Sequence, residues 1–147
     1  PLAQTPDMRR LLFLTIIVLC SSCIAQGPYV VLGGERFSVE LAETQDKQSL
    51  GLMFRDDMPE DHGMIFIFPN EARRSFWMKN TRIPLDIFYF DKDLVLVSVS
   101  ENASPCRTPR CPGYPSAGPA KYVLELNAGK AAALGVEAGD VLKLHLD

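Results

Sequence analysis

Hydrophobic and polar residues alternate along much of the chain, which predicts a protein built mainly from strands. Residues 36–41 set Phe37 and Val39 against polar neighbours, as in a strand with one buried face. Residues 64–68 are continuously apolar and predict a strand that is buried on both faces and ends at Pro69. Related patterns predict further strands at residues 75–79, 85–90, 94–100, 122–126 and 141–146.

One segment near the first strand has helical character. Thr44 is positioned to cap a helix over residues 45–54. Gly51 inside this helix indicates that another backbone packs closely against it. We expect the larger apolar side chains of the helix to turn inward, namely Leu50, Met53 and Phe54.

The remaining elements complete the predicted fold. Residues 128–134 predict a second short helix, which ends at Gly135. Residues 101–120 are rich in proline and lack periodicity, so we expect a long irregular loop. About seven strands and two short helices predict an α+β, β-rich fold, most simply a small closed or nearly closed β-barrel.

The first 25 residues differ from the rest. Arg9 and Arg10 precede an unbroken apolar run over residues 11–19, which is followed by small residues up to position 25. This order is typical of a secretory signal peptide. The run is shorter than the roughly 20 apolar residues of a membrane-spanning helix, which disfavours a permanent anchor.

The predicted domain organisation follows from this segment. We expect a leader at residues 1–25 and a single β-rich globular domain at residues 26–147, placed in the periplasm or elsewhere outside the bacterial cytoplasm. Residues 1–7 precede Met8 and add no signal feature. Lipid attachment at Cys23 is an alternative to simple cleavage.

The charge of the chain limits its partners. The net charge is −3, and since residues 1–25 hold two Arg and one Asp, the remainder carries −4. Nucleic-acid binding depends on clustered Lys and Arg that neutralise phosphates, so we expect no nucleic-acid partner. We also expect a monomer whose only contact with membrane is the signal or a lipid anchor.

Two cysteines lie outside the leader. Cys106 and Cys111 fall within a proline-rich segment, and two thiols this close in an oxidising compartment predict a structural disulfide. Closing so short a loop is worth roughly 2 kcal/mol. A redox pair or half a metal site are the alternatives, but neither the Cys-x-x-Cys spacing nor a second Cys/His pair is present.

Several sequence blocks resemble a known family. They are Gly-Leu-Met-Phe-Arg at 51–55, Gly-Met-Ile-Phe at 63–66, Phe-Trp-Met-Lys-Asn-Thr at 76–81, Ile-Pro-Leu-Asp at 83–86, Leu-Glu-Leu at 124–126, Gly129, and Gly-Asp at 139–140. Together they are similar to the family called domain of unknown function 192, over nearly all of residues 26–147. The resemblance implies a compact β-rich fold that is often exported, and it implies no activity, cofactor or catalytic residue.

Two carboxylates are candidates for catalysis. Strand periodicity places Asp86 on one face with Phe88, and Glu125 on one face with Val123. Burial among apolar groups would raise the pKa of each carboxyl and suit them to acid and base roles. The structural alternative is that each accepts hydrogen bonds from backbone groups or from Asn80 and Arg82 at a strand end.

A binding surface is predicted on the same stretch. Trp77 alternates with Phe76 and Met78, so either Trp77 or that pair faces solvent. An outward Trp77 beside polar side chains would form a platform for a sugar or another flat ligand, whereas an inward Trp77 would close the end of the core. The predicted ligand-binding residues are Trp77, Lys79, Asn80, Arg82 and Asp86.

A metal site is a weaker alternative. Met58, His62 and Met64 offer soft ligands that suit Cu(I), although methionine is also an ordinary core residue. We expect no cofactor.

The leading interpretation is a non-enzymatic envelope protein that binds a small molecule, a glycan or a protein partner. The alternative is a hydrolase or lyase that acts on envelope carbohydrate through Asp86 and Glu125. A third possibility is a purely structural accessory protein.

Overall fold

The structure, a computed structural model, describes residues 27–146 as one seven-stranded sheet with two short helices. The strands are β1 (Tyr29–Leu32), β2 (Glu35–Ala42), β3 (His62–Trp77), β4 (Leu85–Phe90), β5 (Leu96–Ala103), β6 (Gly113–Asn127) and β7 (Lys143–His145). The helices are α1 (Gln45–Leu50) and α2 (Lys130–Leu134). The predicted leader at 1–25 lies outside the described residues.

The sheet is curled but open. Its order is β5-β4-β6-β3-β2-β1-β7, and every neighbouring pair is antiparallel except β2 and β3, which are parallel and joined through α1. The β-rich fold with seven strands and two helices is therefore confirmed, whereas the closed barrel is not. The two edges meet only at one corner, where Val95 bridges Val141 and the Leu96 amide donates to the Asp140 carbonyl at 2.7 Å.

Both faces of the central strands are buried. All six residues of β4 are buried, and alternate residues enter different hydrophobic clusters. The first core, on one face, includes Met64, Phe66, Ile87, Tyr89 and Val123. The second core, on the other face, includes Ile65, Phe88, Phe90, Leu124 and Leu126.

Strand β3 corrects the predicted boundaries. The strands expected at residues 64–68 and 75–79 are parts of one 16-residue strand that continues through Pro69. The pairing with β6 shifts register between Ile67 and Ala72, and a bulge of this kind accommodates a proline that cannot donate to the ladder. Strand β1 was not predicted at all, since Tyr29–Leu32 has no alternation to reveal it.

The predicted long loop is also shorter than expected. Residues 101–103 end β5 and residues 113–120 begin β6, so that only residues 104–112 connect the strands. Prolines within this part of β6 face positions near the register shifts of β3, which explains why strand structure survives there. The sulfurs of Cys106 and Cys111 lie 2.08 Å apart in the connection, which is the distance of a disulfide bond.

Helix α1 is shorter than predicted. It ends at Leu50 because Gly51 adopts φ +49°, a conformation that strains other residues, and the Gly51 amide donates back to the Lys47 carbonyl. The group closest to Gly51 is the Phe66 ring, not the expected backbone. Leu50 and Phe54 are exposed, so their predicted inward orientation was wrong, and Met53 is half-buried. Among residues 27–146, no helix combines the length and apolarity needed to cross a bilayer.

Gly63 allows β6 to approach β3, and we expect Gly63→Ala to destabilise the protein by about 2–3 kcal/mol. A Cβ at this position would lie 2.5 Å from the carbonyl oxygen of Glu125 and 2.6 Å from a methyl carbon of Leu126. Urea unfolding measures the loss. The control is Gly27→Ala, whose Cβ would meet nothing within 4 Å; equal stabilities for the two variants would contradict the packing argument.

Candidate functional site

Glu125 lies in the middle of the sheet. It is on β6, directly opposite Met64 of β3 and Ile87 of β4. Residues that face one another across antiparallel strands share a face of the sheet. Since Met64 and Ile87 belong to the first core, the Glu125 side chain enters the first core as well.

The Glu125 carboxyl is buried without a partner. Its side chain is 4% exposed, and no hydrogen bond joins the carboxyl to another described residue. Burial alone raises the pKa of Glu125 to about 8, so the group is mostly protonated at neutral pH. Among residues 27–146, every side-chain polar atom that is completely inaccessible has a hydrogen-bond partner. Because the Glu125 oxygens have none, they must be accessible from a cavity.

That cavity lies beneath the turn that follows α1. It has a volume of about 30 Å³ and is bounded by Glu125, Thr81, residues 48–53, and three aromatic side chains: Phe66, Phe76 and Trp77. Gln48 fixes the turn, because its side-chain amide donates to the Ala42 carbonyl at 3.1 Å and to the Ile67 carbonyl at 3.0 Å. We call this space the inner cavity.

A wider depression adjoins the inner cavity. It has a volume of about 220 Å³ and shares Gln48, Ser49, Phe76 and Trp77 with it, and it extends to Gln45, Phe68 and Ser75. The inner cavity and this outer depression together form what we call the Glu125 cleft. The cleft therefore has a narrow acidic floor and an open mouth with one aromatic wall.

Trp77 is the exposed member of that wall. It is 51% exposed, whereas Met78 is fully buried and Phe76 half-buried. The sequence left open whether Trp77 or the Phe76/Met78 pair faces solvent, and in the structure Trp77 does. An exposed position argues against the purely structural interpretation of the motif. The Lys79 ammonium lies 5.0 Å from the centre of the Trp77 ring.

Asp86 lies on the opposite face from Glu125. It faces Leu126 across the ladder, and its carboxylate accepts hydrogen bonds from the Asn102 amide and from the Ala131 amide, each at 2.8 Å. The second of these bonds caps the start of α2. The predicted catalytic pair therefore does not converge on one cleft, because adjacent positions on paired strands point to opposite faces.

The predicted ligand-binding set is divided by the structure. Trp77 lines the Glu125 cleft and Lys79 lies against its ring, whereas Asn80 and Arg82 line a separate groove with Phe54 and Asp56. In that groove Arg82 donates to the Asp56 carboxylate at 2.8 Å. Asp86 belongs to neither, so the five residues do not form one site.

Another polar network surrounds Glu40. Arg55 binds both of its carboxylate oxygens, and this hydrogen bonding holds the pKa of Glu40 at about 2. His62 contacts Glu40 through Nε2 at 3.0 Å and Ser38 through Nδ1 at 2.8 Å. Glu40 is thus shared between Arg55 and His62, and the row is a partly exposed polar network on the surface.

The predicted copper ligands do not present a common open site. Both ring nitrogens of His62 are engaged by side chains, and Met58 and Met64 are buried in the first core. Among the described residues, no group of three or more His, Cys, Asp or Glu side chains is placed to hold a metal ion.

Sequence reasoning found the floor and one wall of the cleft but missed the rest. Phe66 was assigned to a buried strand, the orientation of Phe76 was left open, and Gln48, Ser49 and Thr81 were not singled out. These residues come from three distant segments, and only the parallel pairing of β2 with β3 brings them beside Glu125.

Comparisons with known proteins agree with this fold. The model of the DUF192 family, described as an uncharacterised ACR, matches residues 29–144. A crystal structure of a candidate transcription regulator from Sinorhizobium meliloti 1021 is 37% identical with a TM-score of 0.72, over 80% of this chain and 91% of that one. A crystal structure of a protein of unknown function from Novosphingobium aromaticivorans DSM 12444 is 39% identical with a TM-score of 0.71, over 79% of this chain and 82% of that one. No curated protein matches the chain.

We expect Glu125→Gln to stabilise the protein increasingly as pH rises. The folded-state pKa of Glu125, about 8, exceeds its ordinary value of 4.5, so the unsubstituted protein loses stability between pH 4.5 and 8. The amide cannot ionise. The difference in the free energy of unfolding between variant and parent should therefore grow by on the order of 2–3 kcal/mol from pH 5 to pH 8. A difference that is independent of pH in urea titrations would refute the raised pKa.

We expect Asp86→Ala to destabilise the protein by about 3 kcal/mol, because it leaves the Asn102 and Ala131 amides without their acceptor. Thermal unfolding at pH 7 measures the effect. The exposed Asp57→Ala is the control and should change stability by less than about 0.5 kcal/mol. Similar melting temperatures for the two variants would show that the capping role is wrong.

Proposed function

This chain belongs to the DUF192 family, which provides no activity to inherit, and we propose from its geometry that it binds a small organic ligand in the Glu125 cleft. The observation that carries the proposal is the unpartnered Glu125 carboxyl at the floor of an accessible cavity. No described residue hydrogen-bonds to this carboxyl, so a ligand head group that enters the cavity can bond to it directly.

The dimensions of the cleft divide the ligand into two parts. A site for one water molecule needs about 10–15 Å³, so the inner cavity of about 30 Å³ is narrow and suits a small head group. The outer depression of about 220 Å³ is large enough for the body of a small molecule, which would pack against Phe76 and Trp77.

Exposed apolar groups at the mouth support a binding role. Trp77 and Leu50 both border the inner cavity, and they are 51% and 54% exposed. Because they border the same opening, they form an apolar rim rather than scattered exposed residues, and such rims mark ligand-binding grooves. We keep the expectation of an extracytoplasmic protein, which the Cys106–Cys111 pair supports because disulfides persist in oxidising compartments.

The role suggested for the Sinorhizobium protein has less support in this chain. A net charge of −3 disfavours the contacts with phosphates that DNA binding requires. The helices of residues 27–146 are six and five residues long, which is short for a helix that reads the major groove. A hydrolase that uses both Asp86 and Glu125 is not proposed, because the two carboxyls lie on opposite faces.

We expect ligands of the cleft to change the fluorescence of Trp77, which is the single tryptophan of the chain. The test is a titration with a panel of monosaccharides, amino acids, simple amines and carboxylic acids, combined with thermal unfolding. At about 100 times its dissociation constant, a ligand adds about 2.7 kcal/mol of stability. Trp77→Ala should weaken binding at least about tenfold by removing the wall.

The matched control is Phe54→Ala, which removes an exposed aromatic side chain that lines the separate groove. It should leave the affinity unchanged. A ligand that stabilises Trp77→Ala as strongly as the parent protein would place binding elsewhere, and one that is lost only in Phe54→Ala would move the site to that groove.

A further inference from the structure

The proposed binding role leaves the chemistry of the ligand open, and the surroundings of Glu125 narrow it. We infer that the head group held in the inner cavity is an ammonium, so that the ligand class is a primary amine with an aromatic or apolar body. The inference rests on the proposed function and specifies its ligand. It follows from the missing counter-charge of Glu125, from the aromatic walls, and from the size of the cavity.

The first argument is the missing counter-charge. Three nearby cations are paired with other carboxylates, and a fourth, Lys79, lies against the Trp77 ring. Arg55 binds Glu40 and Arg82 binds Asp56, while Lys130 lies 2.8 Å from Glu60. A buried carboxylate is stable when it is paired and hydrogen-bonded. An incoming ammonium would supply the partner that the described residues do not.

The second argument is the character of the walls. Phe66 and Phe76 meet edge to face with their ring centres 4.9 Å apart, and Trp77 completes the aromatic side of the cleft. The face of an aromatic ring carries partial negative charge, which attracts cations and repels anions. Lys79 already shows this attraction at the Trp77 ring. An anionic head group would meet both these rings and the acidic floor.

The third argument is size. An ammonium nitrogen with its hydrogens is close to a water molecule in volume, and the inner cavity of about 30 Å³ holds about two such groups. A guanidinium and a trimethylammonium group each have four heavy atoms, so a primary ammonium is the smallest of these cations and the best matched to so narrow a cavity. The cavity therefore favours a primary amine over the larger cations.

Two other titratable groups affect the inference. Tyr89 faces Val123, on the same side of the sheet as Glu125, and its hydroxyl donates to the Tyr114 carbonyl. Burial and the charge of Glu125 raise the pKa of Tyr89, which stays neutral. Lys79 lies against the Trp77 ring and would repel a second cation there. Replacing it with a neutral residue should therefore strengthen the binding of an amine, whereas a sugar or carboxylate that uses Lys79 would bind more weakly.

Binding of an ammonium has a proton signature. Burial raises the pKa of free Glu125 to about 8, whereas the ion-paired complex holds the carboxylate form. Each binding event below pH 8 therefore releases a proton, close to one per complex at pH 7. The affinity should rise by about tenfold for each pH unit up to pH 8 and then level off.

The experiment compares three probes that share one body. They are 2-phenylethylamine, 2-phenylethanol and phenylacetate, which carry a cationic, a neutral and an anionic head group. Titration of Trp77 fluorescence gives the affinities, and calorimetry in two buffers of different ionisation enthalpy gives the number of protons released. We expect the amine to bind at least about tenfold more tightly than the alcohol at pH 8, with proton release at pH 7.

Variants separate the possible outcomes. Glu125→Gln keeps the shape and the hydrogen-bonding groups but cannot form the ion pair, so amine binding should fall by at least about 30-fold while any binding of the alcohol persists. Lys79→Met should raise the affinity for the amine by a few-fold. Two results would overturn the inference. One is that the parent protein binds the amine without releasing a proton, and the other is that Glu125→Gln binds the amine as tightly as the parent protein does.

The two proposals can fail separately. If the alcohol or phenylacetate binds more tightly than the amine, and that binding is lost in Trp77→Ala, the cleft is a binding site but the ammonium assignment is wrong. If none of the probes perturbs Trp77 up to about 10 mM, beyond the range of specific small-ligand binding, the amine inference falls. The broader panel then decides whether the cleft binds another class.

Discussion

The position of β6 between β3 and β4 is the constraint on which the rest of the structure depends. Because β6 is paired on both sides and covered on both faces, each of its central side chains must enter a core. Leu124 and Leu126 satisfy this requirement on one face, and Val123 satisfies it on the other. Glu125 does not, and the chain retains a carboxyl at a position where the sheet demands an apolar group.

The surrounding structure accommodates this exception locally. Gly63 keeps β3 close to the backbone of Glu125, and the turn after α1 lies over the carboxyl without sealing it. Gly51 makes that turn possible, since its positive φ ends the helix against the Phe66 ring. The same short segment thus terminates α1 and leaves open the space into which Glu125 projects.

The sequence predicted what depends on local periodicity and missed what depends on pairing. The strand predicted at residues 85–90 agrees with β4, because a mainly apolar segment of this length directly predicts a buried strand. Pro69 was taken as the end of a strand because a proline cannot donate to a ladder, but pairing with β6 across a bulge keeps β3 continuous. The open sheet likewise could not be told from a barrel by strand count, since closure depends on whether β5 and β7 pair.

The candidate site shows the same division. Strand alternation placed Glu125 on the same face as Val123 and narrowed the orientation of Trp77 to two choices. It could not place Asp86 on the face opposite Glu125, because the relation of the two depends on the register of β4 against β6. Nor could it identify the structural role of Asp86, since the amides of Asn102 and Ala131 are distant in sequence.

A buried acid also makes folding a proton-consuming reaction. In the unfolded chain Glu125 has its ordinary pKa and is ionised at neutral pH, whereas in the folded protein its pKa is about 8. Each molecule that folds at neutral pH therefore takes up nearly one proton from the solvent at this residue. A fall in pH from neutral to mildly acidic values therefore stabilises the folded protein relative to the unfolded chain.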